Sequence, residues 1–263
     1  MCLIFIALNY HPRYKLIVAA NRDEFYQRKT QPANFWEESP DVLAGRDLEA
    51  HGTWMGVTRT GRISFLTNYR DPANINPNAP SRGKLVSDYL MSSISAYNYL
   101  KEQEPHAKEY NGFNLITGTS NELFYLSNYK SGIDHLTKGF FGLSNHLLDT
   151  PWPKVIRGKK LLEPELQSTQ VSSERLLNLL QDENRAQDHL LPDTGIGMER
   201  ERALSSMFIK TNNYGSRCST VVLIDHQNHL EFTERVYDLK TFDYSTNRFT
   251  FSSLKGLQIL FSL

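Results

Sequence analysis

The chain has 263 residues, and its 29 basic residues balance 29 acidic residues to give a formal net charge of zero. Hydrophobic residues make up 40% of the sequence and aromatic residues 11%, which excludes an intrinsically disordered chain. The neutral balance gives no indication of binding to nucleic acid or to an anionic membrane surface. A chain of this length buries a core without disulfides, so we expect one domain over residues 1–263.

The cysteine and histidine content argues against disulfides and metals. Cys2 and Cys218 are too few for a disulfide framework or a cysteine-rich zinc site, and the eight histidines lack paired ligand spacing. We therefore expect a reducing compartment, no metal and no cofactor. The apolar run at residues 3–8 lacks the flanks of a signal peptide, and no segment has the roughly 20 apolar residues of a membrane span. These features predict a cytoplasmic protein without an integral membrane segment.

The first predicted element is a β-hairpin with strands at residues 3–8 and 14–20. Antiparallel pairing around a turn between them sets Cys2 opposite residues 20–22. Cys2 then lies beside the polar run Asn21-Arg22-Asp23-Glu24.

Strand patterns dominate the two ends of the chain, and helical patterns fill part of the middle. The predicted strands are at residues 52–58, 63–67, 113–117, 123–127, 140–143, 218–224 and 230–236, with an edge strand at 249–251. The predicted helices follow Ser81, Pro151 and Ser172, with another over residues 199–208, and residues 71–80 form a Pro/Asn-rich loop. This order predicts an α+β layered domain with no parallel βαβ repeat.

Cys2 has a chemical option that an internal cysteine lacks. A small side chain next to Met1 permits removal of Met1, which leaves the thiol and a free α-amino group on one residue. An unperturbed α-amine has a pKa of about 7.7 to 8.0, so near neutral pH it accepts the thiol proton as a built-in base. The alternative is that Cys2 is only a small apolar residue that begins a buried strand.

Four polar residues directly follow the second predicted strand. Side chains alternate along a strand, so Asn21 and Asp23 share one face while Arg22 and Glu24 share the other. Asp23 is a candidate to hold the α-ammonium or to orient the nucleophile. The alternative is a solvated strand end that forms only surface ion pairs.

Amide cleavage also needs donors for the developing oxyanion, and two asparagines end apolar strands. Asn68 follows the strand at residues 63–67, and Asn145 follows the strand at 140–143, so either amide is a candidate donor. Arg217 precedes a third apolar strand, where its charge lowers a thiol pKa or binds a carboxylate in a bidentate manner. Each signal is weak by itself, because Asn favours turns and Arg favours surfaces.

The sequence motifs together resemble a known family. The resemblance rests on Met1-Cys2-Leu3-Ile4-Phe5, Ala20-Asn21-Arg22-Asp23-Glu24-Phe25, Gly52-Thr53-Trp54-Met55-Gly56, Thr67-Asn68-Tyr69-Arg70, Gly142-Leu143-Ser144-Asn145, Thr150-Pro151-Trp152-Pro153-Lys154 and Tyr214-Gly215-Ser216-Arg217. These blocks, in this order, are similar to the NRDE family, whose eukaryotic members are the Transport and Golgi organisation protein 2 group. The match spans most of the chain.

The resemblance implies the fold of the N-terminal nucleophile hydrolases, a four-layer αββα sandwich. More distant cysteine-type members include penicillin V acylases and bile salt hydrolases. Their motif implies Cys2 as nucleophile, Asp23 as the aspartate, Asn68 and Asn145 as the two asparagines, and Arg217 as the later arginine. Those hydrolases place their first arginine several residues earlier than Arg22. The candidate substrate-binding residues are Asn21, Arg22, Glu24 and Arg70.

Three functional hypotheses follow. The first is an N-terminal-nucleophile cysteine hydrolase that acts on a non-peptide amide or thioester through Cys2. The second, also implied by the family resemblance, is a non-catalytic carrier on the same fold, for haem trafficking or for handling acyl-CoA and lipids. The third is a structural or partner-binding protein, which would not require the polar residues around Cys2. In the first two the partner is a small molecule, and fold does not decide between them.

Overall fold

The fold is built on two antiparallel β-sheets, in a computed structural model that describes residues 2–252. The six-stranded sheet has the order β10 (Gly139–Leu143), β1 (Cys2–Leu8), β2 (Tyr14–Phe25), β11 (Tyr214–Asp225), β12 (His229–Tyr237) and β13 (Tyr244–Ser252). The seven-stranded sheet runs in chain order through β3 (Thr30–Phe35), β4 (Val42–Asp47), β5 (Met55–Thr58), β6 (Arg62–Asn68), β7 (Phe113–Thr119), β8 (Leu123–Ser127) and β9 (Asp134–Leu136). β1 and β2 are central strands of their sheet.

Helices cover the outer face of each sheet. The α-helices within residues 2–252 are α1 (Gly83–Met91), α2 (Ala96–Gln103), α3 (Pro153–Leu166), α4 (Ser173–Leu179) and α5 (Met198–Ala203). α1 and α2 pack on the seven-stranded sheet, and α3 and α4 pack on the six-stranded sheet. In the described part of the chain, no helix is long and apolar enough to cross a membrane.

Three apolar cores separate these layers. Ile4 and Val18 of the six-stranded sheet meet Val57 and Phe65 of the seven-stranded sheet in the core between the sheets. A second core joins the six-stranded sheet to α3 and α4, and a third joins the seven-stranded sheet to α1 and α2. The order of layers is therefore helix, sheet, sheet, helix, which confirms the expected αββα sandwich.

The apolar run of β1 is explained by burial on both faces of the sheet. Ile4 and Ile6 face the other sheet, whereas Leu3 and Phe5 face the helices. Strands that are covered on both faces read as continuous hydrophobic runs rather than as alternating ones. This face assignment sets the direction of every polar side chain that follows the apolar part of β2.

Most predicted elements are present, but one helix is shorter than predicted and several elements were not predicted. The predicted hairpin is confirmed, and Cys2 pairs with Arg22 as its register requires. The helix predicted over residues 199–208 ends at Ala203, because the hydroxyls of Ser205 and Ser206 hydrogen-bond to nearby carbonyls and Phe208 N donates to Asp182 O instead. In addition, the sequence did not predict β3, β4, β9 or α2.

Candidate active site

A cleft of about 390 Å³ opens beside the first residue of β1. Cys2 and Asn68 line it together with Trp54 and a set of charged side chains. The charged residues of its wall are Arg22, Asp23, Glu24, Arg28, Asp47 and Arg82. Acidic and basic groups are equal in number, so the cleft is strongly polar without a net formal charge.

Cys2 lies at the wall of this cleft with 8% of its surface exposed. Burial raises the pKa of its thiol, and the neighbouring Asp23 carboxylate raises it further, while the Arg22 guanidinium and a hydrogen bond from the Asp23 backbone lower it. The net shift is upward, so the resting thiol is protonated at neutral pH. A nucleophilic role for Cys2 therefore requires a base during attack.

Arg22 lies on the same face of the sheet as Cys2. The two residues pair directly across β1 and β2, and both line the cleft. The Arg22 guanidinium carbon sits 4.0 Å from the centre of the Trp54 ring, and its Nη2 lies 4.0 Å from Oδ2 of Asp47. This stacked position places a cation beside the thiol, although Arg22 comes several residues later in the sequence than the first arginine of the distant hydrolases.

Asn21 lies on the opposite face of β2 and holds the helical layer. Its Nδ2 donates to the carbonyls of Leu180, at 2.9 Å, and Met207, at 2.8 Å. Its Oδ1 accepts a hydrogen bond from the Ser219 hydroxyl at 2.5 Å. These three bonds join β2 to β11 and to the segments that follow α4 and α5, so the Asn21 amide has a structural role.

Asp23 shares the helical face with Asn21 and is 1% exposed, although it also borders the cleft. Its Oδ1 accepts a 2.6 Å hydrogen bond from the Ser216 hydroxyl. Burial raises the pKa of the Asp23 carboxyl, and the charge of Lys154 acts in the opposite direction. Asp23 is thus a buried carboxylate directly behind the nucleophile.

Lys154 is a functional candidate that the sequence reasoning missed. It lies in the first turn of α3 with 2% of its surface exposed, and its Nζ has no hydrogen-bond partner among the described residues. Burial lowers its pKa to about 8, against the attraction of Asp23. The only sequence signal was the Pro-Trp-Pro-Lys block, which carried no chemical role.

The two asparagines meet at the end of β6, but they do different things. Asn68 lines the cleft, and its side-chain amide has no hydrogen-bond partner within residues 2–252. Asn145 is fully buried and its Nδ2 donates to the Asn68 carbonyl at 3.1 Å, while the backbone N of Arg70 donates to the Asn145 carbonyl at 2.8 Å. Asn145 therefore fixes the backbone of Asn68 and leaves the Asn68 amide available to a ligand.

Arg217 holds the chain that follows β2. Its Nη1 donates to the carbonyls of Phe25 at 2.7 Å, Tyr26 at 3.2 Å and Arg28 at 2.5 Å. It borders a second cavity of about 270 Å³, together with Cys218, and is not part of the described wall around Cys2. The segment that Arg217 fixes carries Arg28, which does line the cleft.

Arg70 also lies outside the wall of the cleft. Its Nη1 forms a 2.6 Å ion pair with Oε2 of Glu201, and both side chains are buried. Its guanidinium carbon is 4.8 Å from the centre of the Trp152 ring. Arg70 therefore joins α5 and the start of α3 to the end of β6.

The opposite wall of the cleft contributes residues that sequence reasoning did not select. Trp54 belongs to one of the family motif blocks but had no assigned role, and Arg28, Asp47 and Arg82 carried no local signal. They reach the cleft because the seven-stranded sheet and the start of α1 close over β2. No cluster of metal-binding side chains occurs within residues 2–252.

Comparison with known proteins identifies relatives over nearly the whole chain. A family model described as Transport and Golgi organisation 2 matches residues 1–239. The mouse Transport and Golgi organization 2 homolog is 36% identical, covering 96% of this chain and 99% of that protein. The Drosophila melanogaster Transport and Golgi organization protein 2 is 30% identical, covering 89% of this chain and 91% of that protein.

A solved structure shares the fold at low sequence identity. The Caenorhabditis elegans ortholog of N-acylethanolamine-hydrolyzing acid amidase aligns with a TM-score of 0.51 and 12% identity. The alignment covers 84% of this chain and 92% of that one. The similarity shows a fold of the N-terminal nucleophile hydrolase type.

Proposed function

This chain belongs to the Transport and Golgi organisation 2 family, and from its cleft we propose that it is a cysteine hydrolase of non-peptide amides or thioesters. The observation that supports the proposal best is that a thiol and a side-chain amide, unpartnered within residues 2–252, line the same cleft. The Cys2 thiol lies beside Asn68, whose amide has no partner in the described part of the chain. The nematode neighbour is named for hydrolysis of an N-acylethanolamine, which is a non-peptide amide.

The proposed first step forms an acyl-enzyme. After removal of Met1, the α-amine of Cys2 takes the thiol proton, and the sulfur attacks the substrate carbonyl carbon. The Asn68 amide donates to the resulting oxyanion. The carbon–nitrogen or carbon–sulfur bond then breaks, the leaving amine or thiol takes the proton from the α-ammonium, and the acyl group remains on Cys2.

The second step releases the acid. A water molecule gives its proton to the α-amine and attacks the acyl carbon, again with the oxyanion on Asn68. The carbon–sulfur bond breaks, the sulfur recovers the proton, and a carboxylic acid leaves. Because burial raises the pKa of the thiol, the cycle relies on the α-amine of the same residue as the base.

The other candidate residues take supporting roles in the proposal. The backbone of Asp23 hydrogen-bonds to the Cys2 thiol and orients this end of β1. Asn145 holds the backbone of Asn68 in place. Arg22 and Glu24 border the substrate, since both line the cleft. Arg217 fixes the segment that carries Arg28, while Asn21 and Arg70 tie the strand ends to the helical layer.

The charged wall of the cleft supports a reaction site better than an apolar carrier site. A carrier for haem or a lipid chain would be expected to offer a largely apolar cavity. The proposed setting is the cytoplasm, because Cys2 and Cys218 are both free thiols.

The first requirement of the mechanism is a free amine on Cys2. We expect Met1 to be absent from protein isolated from its own cells, and intact and amino-terminal mass analysis measures this directly. Quantitative retention of Met1 there would exclude the α-amine as base and would favour the carrier hypothesis.

The decisive comparison is between the two thiols of the chain. An acylating probe should add one acyl mass to wild type and to Cys218→Ala, but none to Cys2→Ala, while a panel of amides and thioesters should be turned over only by the first two. Cys2→Ala should lower the free energy of unfolding by no more than about 1 to 2 kcal/mol. Equal binding of acyl-CoA or haem by wild type and Cys2→Ala, with no turnover by wild type, would establish the carrier instead.

A further inference from the structure

Arg82 differs from the other arginines of the cleft because it forms no ion pair with a described residue. Arg28 donates from Nε to Oδ2 of Asp47 at 2.6 Å, and Arg22 approaches the same carboxylate. Arg82 instead donates from Nη1 to the carbonyl of Gly112 at 2.8 Å. Glu24 attracts Arg82 without forming an ion pair with it, so this half-buried cation at the cleft wall has donors left for a ligand.

The geometry of Arg82 suits one kind of ligand group. The bond to Gly112 occupies Nη1, which leaves Nε and Nη2, the two parallel donors that bind a carboxylate in a bidentate manner. The Gly112 bond also holds the guanidinium at the cleft, so less side-chain freedom is lost when a ligand binds. Arg82 and Cys2 line the same cleft, and Arg82 attracts the thiolate form of Cys2.

The neighbouring Glu24 limits the charge that the site accepts. Burial alone would raise the pKa of Glu24, but the N–H of Phe25 and the charges of Arg22 and Arg28 bring it below its ordinary value, so Glu24 is ionised at neutral pH. Glu24 lines the same cleft as Arg82. A dianionic phosphate would be repelled by Glu24 more strongly than a carboxylate, which carries one negative charge.

We infer that Arg82 binds a carboxylate of the substrate, so that the amide or thioester cleaved at Cys2 carries a second, acidic group. This inference rests on the proposed function. Arg82 then acts as a specificity residue, because it pairs with a part of the substrate that does not react. Substrates without a carboxylate would lack this contact and would bind less tightly.

Alkylation of Cys2 tests the proposed carboxylate-binding site at Arg82, called the anion site below, without any substrate turnover. Iodoacetate and iodoacetamide both form a carbon–sulfur bond to the thiolate with loss of iodide, and they differ by one carboxylate. A second pair, 3-maleimidopropionate and its amide, places the same carboxylate farther from the reacting carbon. The measured quantity is the ratio of the acid rate to the amide rate at Cys2, followed by peptide mass. The fraction of thiolate cancels in this ratio.

In wild type, the ratio for at least one pair should exceed the ratio for N-acetylcysteine amide, a neutral thiol in solution. Arg82→Gln should lower that ratio about fivefold or more, since the charge-assisted bonds are lost. Arg59→Gln is the matched control, because Arg59 is half-buried, forms no ion pair within the described residues and lies over Phe35 at the far end of β5. This variant should keep the wild-type ratio.

Two results would overturn the inference, and neither depends on hydrolysis. One is a wild-type ratio no higher than that of N-acetylcysteine amide for both probe pairs, a measurement that needs no variant. The other is an unchanged ratio in folded Arg82→Gln. A raised wild-type ratio that Arg82→Gln removes, in a protein that hydrolyses nothing, would support the anion site and reject the hydrolase.

Discussion

The two faces of β2 put adjacent polar residues to opposite uses. On the face toward the other sheet, Arg22 and Glu24 line the cleft beside Cys2. On the face toward the helices, Asn21 and Asp23 are almost fully buried and bond to β11 hydroxyls. The alternation of a strand therefore directs Arg22 and Glu24 to the cleft and Asn21 and Asp23 to the helical layer, although Asp23 also borders the cleft at the end of the strand.

This division predicts which property each substitution changes. Side chains on the cleft face make few protein bonds, so their loss should alter chemistry and spare stability. Side chains on the helical face satisfy buried donors and acceptors, so their loss should alter stability first. The division would be wrong if a cleft-face substitution mainly lowered stability, or if a helical-face substitution mainly lowered the reaction rate.

After Cys2 itself, the largest expected effect among the residues that line the cleft is that of Asn68→Ala, at the end of β6. Removing one oxyanion donor typically lowers the rate by about 10²- to 10³-fold, so the acylation rate of Cys2 should fall by that factor. The free energy of unfolding should change by less than about 1 kcal/mol, because the Asn68 amide has no partner among the described residues and its backbone bond to Asn145 remains. Burst kinetics and denaturant titration measure the two quantities. A stability loss without a rate loss would reassign Asn68 to the scaffold.

On the helical face, Asn21→Ala should lower the free energy of unfolding by about 2 to 4 kcal/mol. The substitution leaves the carbonyls of Leu180 and Met207 and the hydroxyl of Ser219 short of a partner, and it opens a small cavity. The acylation rate of the folded fraction should stay within about threefold of wild type. A normal melting curve together with lost acylation would place Asn21 in the chemistry.

The division between the faces was readable from the sequence, because strand periodicity and hairpin register are local properties. The predicted pairing of Cys2 with residues 20–22 is realised as Cys2 with Arg22. The hydrogen bonds of Asn21 and Asp23 place both on the helical face, as the alternation predicts, and Asp23 in addition borders the cleft that Arg22 and Glu24 line. The αββα fold came from the motifs of the family rather than from periodicity.

The far wall of the cleft was not readable in the same way. β3 has the sequence Thr-Gln-Pro-Ala-Asn-Phe and lies at a sheet edge with a break in its register, so it lacks the apolar alternation of a strand. Arg82 and Lys154 begin helices whose apolar positions point elsewhere. The packing of the layers decides which polar residues from other elements lie near Cys2. No local sequence pattern encodes that packing.

Lys154, whose amine is buried on the helical side near Asp23, should make the free energy of unfolding depend on pH. Because burial lowers the pKa of Lys154 to about 8 from 10.5, the unfolded chain binds more protons than the folded chain between these values. Stability due to this group therefore rises with pH from about 8 to 10, by about 2 kcal/mol. In a Cys2→Ala background, which removes the nearby thiol, this rise should be present with Lys154 and absent in Lys154→Met.

Denaturant midpoints at several pH values measure that difference. Lys159→Met is the control, because Lys159 lies on the same helix but is partly exposed and pairs with Asp149 at 2.6 Å. It should leave the pH dependence unchanged. A rise that persists in Lys154→Met would show that another group titrates in this range.

The smallest expected effect is that of Glu24→Gln, and its sign is what matters. Glu24 accepts a hydrogen bond from the N–H of Phe25 at 2.8 Å, and its carboxylate is attracted to Arg22 and Arg28 across partly solvated space. Glu24 is half-buried and, within the described residues, makes one hydrogen bond and no ion-pair contact, so the free energy of unfolding should fall by about 1 kcal/mol or less. Removing one negative charge from the cleft should at the same time raise the acid-to-amide alkylation ratio at Cys2 about two- to threefold. This change is opposite in sign to that of Arg82→Gln. A ratio that falls in Glu24→Gln would mean that Glu24 helps to hold the anion rather than to repel it, and the cleft face would then need a different charge assignment.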